Sequence, residues 1–138
     1  MSEIRYEIVK KANREDVANL YRKAGWWSEK NDNIEFLDDL IANSFLFVCA
    51  YDGKDLIGMG RSLSDGISDA YIQDVTVLAD YRRRGIGGSI IRILVDNLYS
   101  RGIRWVGLIG APGTQHFYEE LGFKVMKDHI PMQYKGKG

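Results

Sequence analysis

The sequence contains very little cysteine and histidine. Its 138 residues include one cysteine, Cys49, and two histidines, His116 and His129. A single cysteine cannot form an internal disulfide, which suits a reducing compartment. Its position in the apolar stretch 45–50 predicts a buried structural role. Neither histidine has the spacing to other ligands that is typical of a metal site, so no metal is predicted.

The sequence also lacks net charge and long apolar runs. Its 19 Lys and Arg residues balance 19 Asp and Glu residues, so no overall field favours nucleic acid or an anionic membrane as a partner. No stretch approaches the ~20 apolar residues of a membrane span. Residues 1–5 lack the apolar core of a secretory signal. These absences predict a soluble, cytoplasmic protein that binds neither nucleic acid nor membrane.

The most informative segment is an apolar strand followed by a basic, glycine-containing turn and an apolar-striped helix. Three arginines at 82–84 precede Gly85 and Gly87. A helix that begins directly after such a turn directs backbone N–H groups and the positive end of its dipole at one point, as pyrophosphate sites do. The spacing lacks the Lys-Ser/Thr pair of a Walker A loop and lies too late in the chain for a dinucleotide-binding turn. The segment therefore predicts an anion site.

A second block near the end of the chain completes a known pattern. Phe117 and Tyr118 fall on a short predicted helix, and Gly122 and Phe123 open the strand after it. Together with the earlier Arg-x-x-Gly-x-Gly turn, this block resembles the GNAT (GCN5-related N-acetyltransferase) superfamily. The resemblance covers most of the chain, from residue 46 onwards, and residues 1–40 match in length and pattern only.

Periodicity predicts an alternating order of strands and helices. The predicted helices are one capped by Asn13, a second capped by Asn33, a third from Ile86 and a fourth at 113–121. The predicted strands lie at 6–9, 46–51, 56–62, 70–77 and 104–109, with a last one from Phe123. The resemblance implies a mixed α/β fold with a mostly antiparallel sheet of six to seven strands, a central splay and helices on both faces. It also implies that residues 1–138 form a single acetyl-CoA-dependent N-acetyltransferase domain.

The resemblance assigns the cosubstrate acetyl-CoA to the strand and the turn. Main-chain groups of the strand would bond the pantetheine arm as a further strand would. N–H groups of residues 83–88 would hold the pyrophosphate, because the glycines permit close backbone approach. One or two arginine side chains would meet the ribose phosphate, and at least one would be solvated. The residues so assigned are Val75, Thr76, Val77, Arg82, Arg83, Arg84, Gly85, Ile86, Gly87, Gly88 and Ser89.

Two residues are candidates for the chemistry. Tyr118 matches the tyrosine with which family members commonly protonate the departing thiolate, and an ordinary pKa near ~10 keeps it protonated at neutral pH. The alternative is that Tyr118 only packs beside Phe117. Asp74 is the one carboxylate within the central strand and is the nominal general base. A structural role for Asp74, with the amine losing its proton to water, stays open.

Acceptor recognition is predicted for the loop after the first helix. Trp26 and Trp27 are adjacent there, and such aromatic area is normally buried or used for binding. One tryptophan packing in the core is the alternative, whereas stacking on a cationic or aromatic acceptor is the functional interpretation. Gln73, where some family members carry an acidic residue, is the third candidate for substrate binding.

The resemblance implies an enzyme that transfers acetyl directly from acetyl-CoA to a primary amine of an unidentified acceptor, either a small molecule or a peptide. Two departures from the family pattern, Gln73 and Ala111 (where many members have Asn), leave open a catalytically silent acyl-CoA sensor. A third hypothesis, nucleic-acid binding through the arginines of the turn, is disfavoured by the zero net charge. Small domains of this family often pair, which leaves a homodimer open alongside a monomer.

Overall fold

The computed structural model describes residues 3–28, 30 and 33–136. The chain divides into two compact units, one ending at Leu108 and one beginning at Ile109. Within the described residues, the first unit contains all the strands and the second contains one short α-helix. No helix among these residues has the length and apolar character needed to cross a membrane.

The first unit is built on a five-stranded mixed sheet. Its first three strand pairs are antiparallel, and the last pair is parallel. This arrangement confirms the predicted mostly antiparallel α/β fold, with fewer strands than the six to seven predicted. The strands, in spatial as well as chain order, are β1 (Ile4–Ile8), β2 (Leu46–Asp52), β3 (Asp55–Ser64), β4 (Asp69–Val77) and β5 (Trp105–Leu108).

Three helices of the first unit follow the predicted periodicity. They are α1 (Arg14–Lys23), α2 (Leu37–Asn43) and α3 (Ile86–Ser100). The Asn13 side chain accepts a hydrogen bond from the Asp16 N–H at 3.0 Å, which caps α1 as predicted. Helix α2 begins later than predicted, at Leu37 rather than next to Asn33. The reason is that buried Ile34 first closes a turn, its carbonyl accepting from the Leu37 N–H.

Helices cover both faces of the sheet, as predicted. Helices α1 and α2 pack with Phe47, Cys49 and Met59 in one buried cluster. Because successive side chains of a strand point to opposite faces, Gly58 and Gly60 face the other way, against Ile90 of α3. Cys49 is fully buried, and burial raises the pKa of its thiol to about 11. This environment fits the predicted structural role of the cysteine.

Strand β4 contains a bulge at Asp74. Met59 pairs with Thr76 and Arg61 with Gln73, so the single residue Gly60 of β3 lies opposite two residues of β4. Asp74 takes up the extra residue with φ 57, a left-handed backbone that few residues other than glycine adopt. The bulge therefore reverses which face of the sheet the successive side chains of β4 point to. It does so where the predicted cosubstrate-binding stretch begins.

The second unit contains the helix α4 (Gln115–Glu120), near the predicted 113–121. The strand predicted from Phe123 onwards is not present in the described residues, and this accounts for part of the lower strand count. The family pattern, in which Gly-Phe opens a last strand, predicted a strand here, but a strand forms only where a neighbouring strand pairs with it. Here the apolar side chains are exposed instead, Ile130 by 79% and Met132 by 89%.

Candidate functional site

The amino end of α3 presents backbone donors that lie ahead of its helical hydrogen bonds. Gly85 is the N-cap residue, its φ is 77, and no side chain among the described residues caps the helix. The Ser89 N–H donates to the Gly85 carbonyl at 3.0 Å, so the N–H groups of residues 86–88 precede the first helical hydrogen bond. Since the positive end of the helix dipole lies at the same place, this turn is suited to hold an anion.

The three arginines beside this turn differ in their contacts. Arg82 Nε donates to the Val77 carbonyl at 3.1 Å. Arg84 Nη2 donates to the Asp80 carbonyl at 3.2 Å, and its guanidinium lies 5.1 Å from the centre of the Tyr81 ring. Arg83 is exposed, has φ 65, and its side chain makes no hydrogen bond or ion pair within the described part of the chain. Arg82 and Arg84 thus stabilise the turn through hydrogen bonds to its backbone, and Arg83 is available to bind a ligand.

One edge of β4 is open just before this turn. The parallel pairing with β5 stops at Ile72 and Leu108, whereas β4 continues to Val77. Among the described residues, the stretch 73–77 has no strand partner on the β5 side, and all five of these residues are half-buried. An extended ligand can bond main-chain groups there as an added strand would. The open edge, the turn and the start of α3 are consecutive in the chain.

Close packing of α3 on the sheet depends on two glycines that the sequence analysis missed. A Cβ on Gly60 would lie 2.7 Å from Ile90 Cγ2 and 3.2 Å from Val75 Cγ2. A Cβ on Gly58 would lie 3.3 Å from Ile90 Cδ1. A side chain at Gly60 would therefore force Ile90 or its helix to shift, whereas one at Gly58 would require Ile90 to move by a few tenths of an ångström. The signal in the sequence was two glycines, two residues apart, inside an otherwise apolar strand.

Asp74 is engaged by two neighbours that sequence reasoning did not associate with it. Arg61 Nε contacts Asp74 Oδ2 at 2.8 Å, and the Tyr21 hydroxyl donates to the same oxygen at 2.7 Å. Burial, followed by the hydrogen bond to Asp74, raises the pKa of Tyr21 far above its ordinary value. The three side chains connect α1, β3 and β4. The available signal was Arg61, a cation within the apolar run of β3.

The predicted acceptor residues lie next to this group. Trp27 stacks on Tyr21 with ring centroids 4.5 Å apart and an interplanar angle of 10°. Trp27 also packs against the α1–α2 core and against Phe36. Trp26 contacts Tyr21 edge-on and remains 49% exposed. Trp27 is therefore largely packed, as the core-packing interpretation predicts. Trp26 has an exposed face, as the binding interpretation requires.

Gln73 lies on the same side of the sheet as these aromatic rings. It pairs with Arg61 across the β3–β4 ladder, and cross-strand partners share a face. Because Asp74 occupies the bulge, its carboxylate also reaches Arg61 on this face. The described residues contain no group of three or more His, Cys, Asp or Glu side chains able to hold a metal ion.

Tyr118 belongs to the second unit. Its ring packs edge-on against Phe117 and Phe123, with centroids 4.9 and 5.8 Å apart. Half-burial raises the pKa of its hydroxyl above the ordinary value. A neutral phenol with a raised pKa remains a proton donor over the whole neutral range. Its backbone N–H closes the first turn of α4 on the Thr114 carbonyl at 3.1 Å.

Residues 8–123 match the sequence pattern of the Acetyltransferase (GNAT) family. The chain belongs to this family. An acetyltransferase of the GNAT family from Streptococcus pneumoniae superposes with a TM-score of 0.83 and 27% identity, covering 99% of this chain and all of the other. The GNAT resemblance of the sequence is thereby confirmed.

Curated GNAT relatives are similar over part of their length. An uncharacterized N-acetyltransferase, ycf52, from Gracilaria tenuistipitata is 28% identical over 119 residues, which are 86% of this chain and 65% of the relative. The chloroplastic GCN5-related N-acetyltransferase 2 of Arabidopsis thaliana is 38% identical over 77 residues, which are 56% of this chain and 30% of the relative. The chain therefore spans less than two thirds of the length of these two relatives.

Proposed function

We propose that this protein is an acetyl-CoA-dependent N-acetyltransferase that transfers acetyl directly to a primary amine. The observation that carries the proposal is the continuity, in a member of the GNAT family, of an open strand edge with an uncapped helix start. The edge at 73–77 suits an extended arm with amide groups, and the N–H groups of 86–88 suit a pyrophosphate. Acetyl-CoA combines both features and supplies the acetyl group as a thioester.

The cosubstrate-binding residues proposed are those on this continuous path. In this proposal the main chain of the half-buried end of β4 forms hydrogen bonds with the pantetheine arm. The main chain of the turn and of the first residues of α3 forms hydrogen bonds with the phosphates. Arg83, exposed and without a side-chain partner among the described residues, is the arginine best supported as a phosphate ligand. The full proposed set is Val75, Thr76, Val77, Arg82, Arg83, Arg84, Gly85, Ile86, Gly87, Gly88 and Ser89.

The proposed chemistry needs a polarised carbonyl, a neutral amine and a proton for the leaving thiolate. N–H groups on the open edge of β4 are the proposed donors to the thioester carbonyl, an electrostatic aid of about 3 kcal/mol per donor in other enzymes. Tyr118 is the proposed proton donor, since its raised pKa keeps the hydroxyl neutral. In this scheme the neutral amine attacks the thioester carbon, the C–S bond breaks, and the departing sulfur takes the Tyr118 proton. The proton that the nitrogen loses on becoming an amide passes to water, and Tyr118 regains a proton from water.

The origin of that neutral amine depends on the role of Asp74. Its carboxylate oxygen already accepts from both Arg61 and Tyr21, an arrangement that supports a holding role over that of a general base. We propose that Asp74 fixes the bulge and that the amine gives its proton to water. General-base catalysis by Asp74 is the competing proposal.

The acceptor is proposed to bind on the face formed by Trp26, Trp27 and Gln73. Trp26 presents an exposed ring next to Tyr21, and Gln73 shares the side of the sheet on which Arg61 and Asp74 meet. An aromatic face attracts a cationic or aromatic amine. The Arg61 guanidinium neutralises the carboxylate of Asp74, so this face provides no strong anionic site for a polyamine.

Three further expectations from the sequence belong to the proposal. Residues 1–138 would act as one domain, and the protein would be cytoplasmic, although the Arabidopsis relative is named as chloroplastic. Its partners would be the amine acceptor and acetyl-CoA, without nucleic acid, membrane or metal. A catalytically silent acyl-CoA sensor is the second candidate function, favoured by Gln73 at a position where some members have an acid.

The proposal is tested by titrating acetyl-CoA calorimetrically and then following thiol release with a panel of amines that includes aromatic amines, polyamines, amino sugars and peptides. Binding with turnover on one amine class supports the transferase. Binding without turnover on any amine supports the sensor. A chain that does not bind acetyl-CoA contradicts both.

The substitution Gly87→Val gives this test a matched control. A β-branched side chain on the first turn of α3 would block close approach to the phosphates, so we expect acetyl-CoA affinity to fall by about 100-fold or more. Arg92→Val introduces the same residue at an exposed position of the same helix, beyond its first turn. Equal affinities in the two variants would contradict the phosphate site.

A further inference from the structure

Arg61 is the one cation of strand β3, and its side chain is only 12% exposed. Its Nε lies 2.8 Å from Asp74 Oδ2, and its Nη1 donates to the Ser44 hydroxyl at 3.3 Å. That hydroxyl donates in turn to the Leu40 carbonyl at 2.7 Å, and Ser44 is almost fully buried. Because the donors of a guanidinium lie in one rigid plane, the contact with Ser44 fixes the direction from which Arg61 meets Asp74.

The residue that Arg61 contacts has a disfavoured backbone conformation. Asp74 has φ 57, and residues other than glycine keep such a conformation only where the surrounding structure imposes it. Its carboxylate accepts from Arg61 of β3 and from the Tyr21 hydroxyl of α1. The Asp74 side chain is 23% exposed. Without the Arg61 guanidinium, this partly buried carboxylate would lose its counter-charge and turn towards water.

The bulge at Asp74 decides which amide groups point to the open edge of β4. The Leu78 N–H donates to the Ile57 carbonyl of β3 at 2.9 Å. Because alternate residues of a strand bond the same neighbour, the N–H groups at positions 75 and 77 point away from β3, to the open edge. Without the extra residue, the register that precedes the bulge would continue and pair Val75 with Met59. Met59 lies two residues from Ile57 and also faces β4, so the Val75 N–H would then turn to β3.

We propose that Arg61 is a positioning residue for acetyl transfer, which acts through Asp74 to keep the N–H groups of the open edge directed at the thioester carbonyl. This inference rests on the proposed function, because it requires a thioester at that edge. A misplacement of reacting groups by about 1 Å can cost on the order of 100-fold in rate. The turn proposed to hold the pyrophosphate lies outside this group of side chains. The loss of Arg61 should therefore lower kcat and leave the affinity for acetyl-CoA almost unchanged.

The test compares Arg61→Gln with wild type at saturating acetyl-CoA, on an amine that wild type acetylates. Thiol release is expressed per acetyl-CoA site titrated by calorimetry, so that a loss of folded protein does not lower the measured kcat. We expect kcat to fall by about 100-fold and the Kd for acetyl-CoA to change by less than about threefold. The matched control, Arg14→Gln, breaks the exposed ion pair of Arg14 with Asp38 and should keep the wild-type kcat. An Arg61→Gln variant with the wild-type kcat overturns the proposal.

The variant Arg61→Lys separates the position of the guanidinium from its charge. Lysine keeps the counter-charge of Asp74 but lacks the planar set of donors that also reaches Ser44. It should unfold at nearly the wild-type denaturant concentration and remain about tenfold slower than wild type. This variant also provides the measurement if Arg61→Gln does not fold. A lysine variant with the wild-type kcat would reduce Arg61 to a charge partner and overturn the proposal.

The variant Asp74→Gly tests the route through which Arg61 acts. Glycine adopts a positive φ without help, so Asp74→Gly alone should keep kcat within about tenfold of wild type. In the Asp74→Gly background, Arg61→Gln should change kcat by less than about threefold, because Arg61 no longer has a conformation to impose. A further loss of about 100-fold in the double variant would mean that Arg61 acts by another route. Complete loss of kcat in Asp74→Gly would assign Asp74 to proton transfer. Either result overturns the proposal.

Failure of this inference is distinguishable from failure of the proposed function. A wild-type chain that acetylates no amine contradicts the proposed function, and the positioning role falls with it. A wild-type chain that acetylates an amine, together with an Arg61→Gln variant of equal kcat, leaves the transferase intact and overturns the positioning role alone.

Discussion

At the scale of single residues, the contacts that each polar side chain makes with its neighbours decide whether it can bind a ligand. Of the three arginines in the turn, two donate to backbone carbonyls nearby and one has no side-chain partner among the described residues. Asp74 contacts a cation and a phenol and is only partly exposed to solvent. A motif identifies which residue types are present, but these contacts determine which of them remain available to a ligand.

Tyr118 is the residue whose proposed role is most directly tested. In Tyr118→Phe the ring packing against Phe117 and Phe123 is retained while the proton donor is lost. We expect kcat at saturating acetyl-CoA to fall by about 100-fold, at the lower end for general acids, because a thiolate is a fair leaving group without help. The KM for acetyl-CoA should change little. The measurement is thiol release against amine concentration at pH 7.5.

The matched control for Tyr118→Phe is Tyr134→Phe, an exposed tyrosine of the same unit. The pH profile adds a second readout. Burial raises the pKa of Tyr118, so the donor stays protonated as pH rises, and the wild-type rate should not decline through this group below pH ~10. An unchanged kcat in Tyr118→Phe would mean that the side chain serves only to pack.

At the scale of elements, a side-chain hydrogen bond connects helix α1 to the bulge of β4. The Tyr21 hydroxyl spans from α1 to Asp74, which lies 53 residues away in the sequence. Trp27 stacks on the same tyrosine, so the loop proposed to bind the acceptor rests on this connection. A change at Tyr21 therefore affects the helix, the bulge and the aromatic group together.

The variant Tyr21→Phe should lower the free energy of unfolding by about 1.5 kcal/mol at pH 7, because it keeps the stacked ring and removes one hydrogen bond to a charged acceptor. Burial and the Asp74 hydrogen bond raise the pKa of Tyr21 in the folded state. A raised folded pKa gives stability that is fully present below the unfolded pKa of ~10 and is lost as pH rises above it. Wild type should therefore lose stability above pH 10 more steeply than the variant.

Denaturant unfolding between pH 7 and 11 provides this measurement, with Tyr71→Phe, on a half-exposed ring, as the control. Tyr51, Tyr81 and Tyr118 also have raised pKa values, so the difference between wild type and variant isolates Tyr21. Stability curves that run parallel for wild type and variant would contradict the coupling between Tyr21 and Asp74.

The variant Asp74→Asn extends the test. If Asp74 only fixes the bulge, the variant should lose stability and largely keep its kcat. If Asp74 is a general base, the variant should lose kcat and change the acidic limb of the pH–rate profile.

Local patterns in the sequence predicted most elements and the cosubstrate turn. Helices α1 and α3 follow from apolar periodicity, and the start of α3 directly after the turn follows from the glycines that precede its apolar stripe. Contacts between distant segments could not be predicted in this way. The group of Tyr21, Arg61 and Asp74 requires the register of β3 against β4, and that register is shifted by a bulge which no local pattern marks. The missing final strand has the same cause, since strand formation depends on a neighbour.

At the scale of the whole molecule, the question is whether residues on either side of Leu108 and Ile109 unfold together. The chain forms two compact units, whereas the sequence predicts one domain. All three tryptophans, Trp26, Trp27 and Trp105, lie in the first unit, so their fluorescence reports on that unit alone. Calorimetry observes both units. One domain predicts that the fluorescence and calorimetric transitions coincide and that the calorimetric and van't Hoff enthalpies agree.

Binding of acetyl-CoA should raise the Tm of this transition, and the two units should still unfold together. At a concentration 100-fold above Kd, binding to the folded state alone adds about 2.7 kcal/mol, which corresponds to a rise in Tm of about 10 °C for a domain of this size. Scans of wild type and of Gly87→Val, at one fixed protein concentration, measure the effect, and the variant should show almost no rise. Suppose instead that ligand moves the fluorescence transition while a second calorimetric transition stays in place. The second unit would then fold independently of the acetyl-CoA site, and the single-domain prediction would fail.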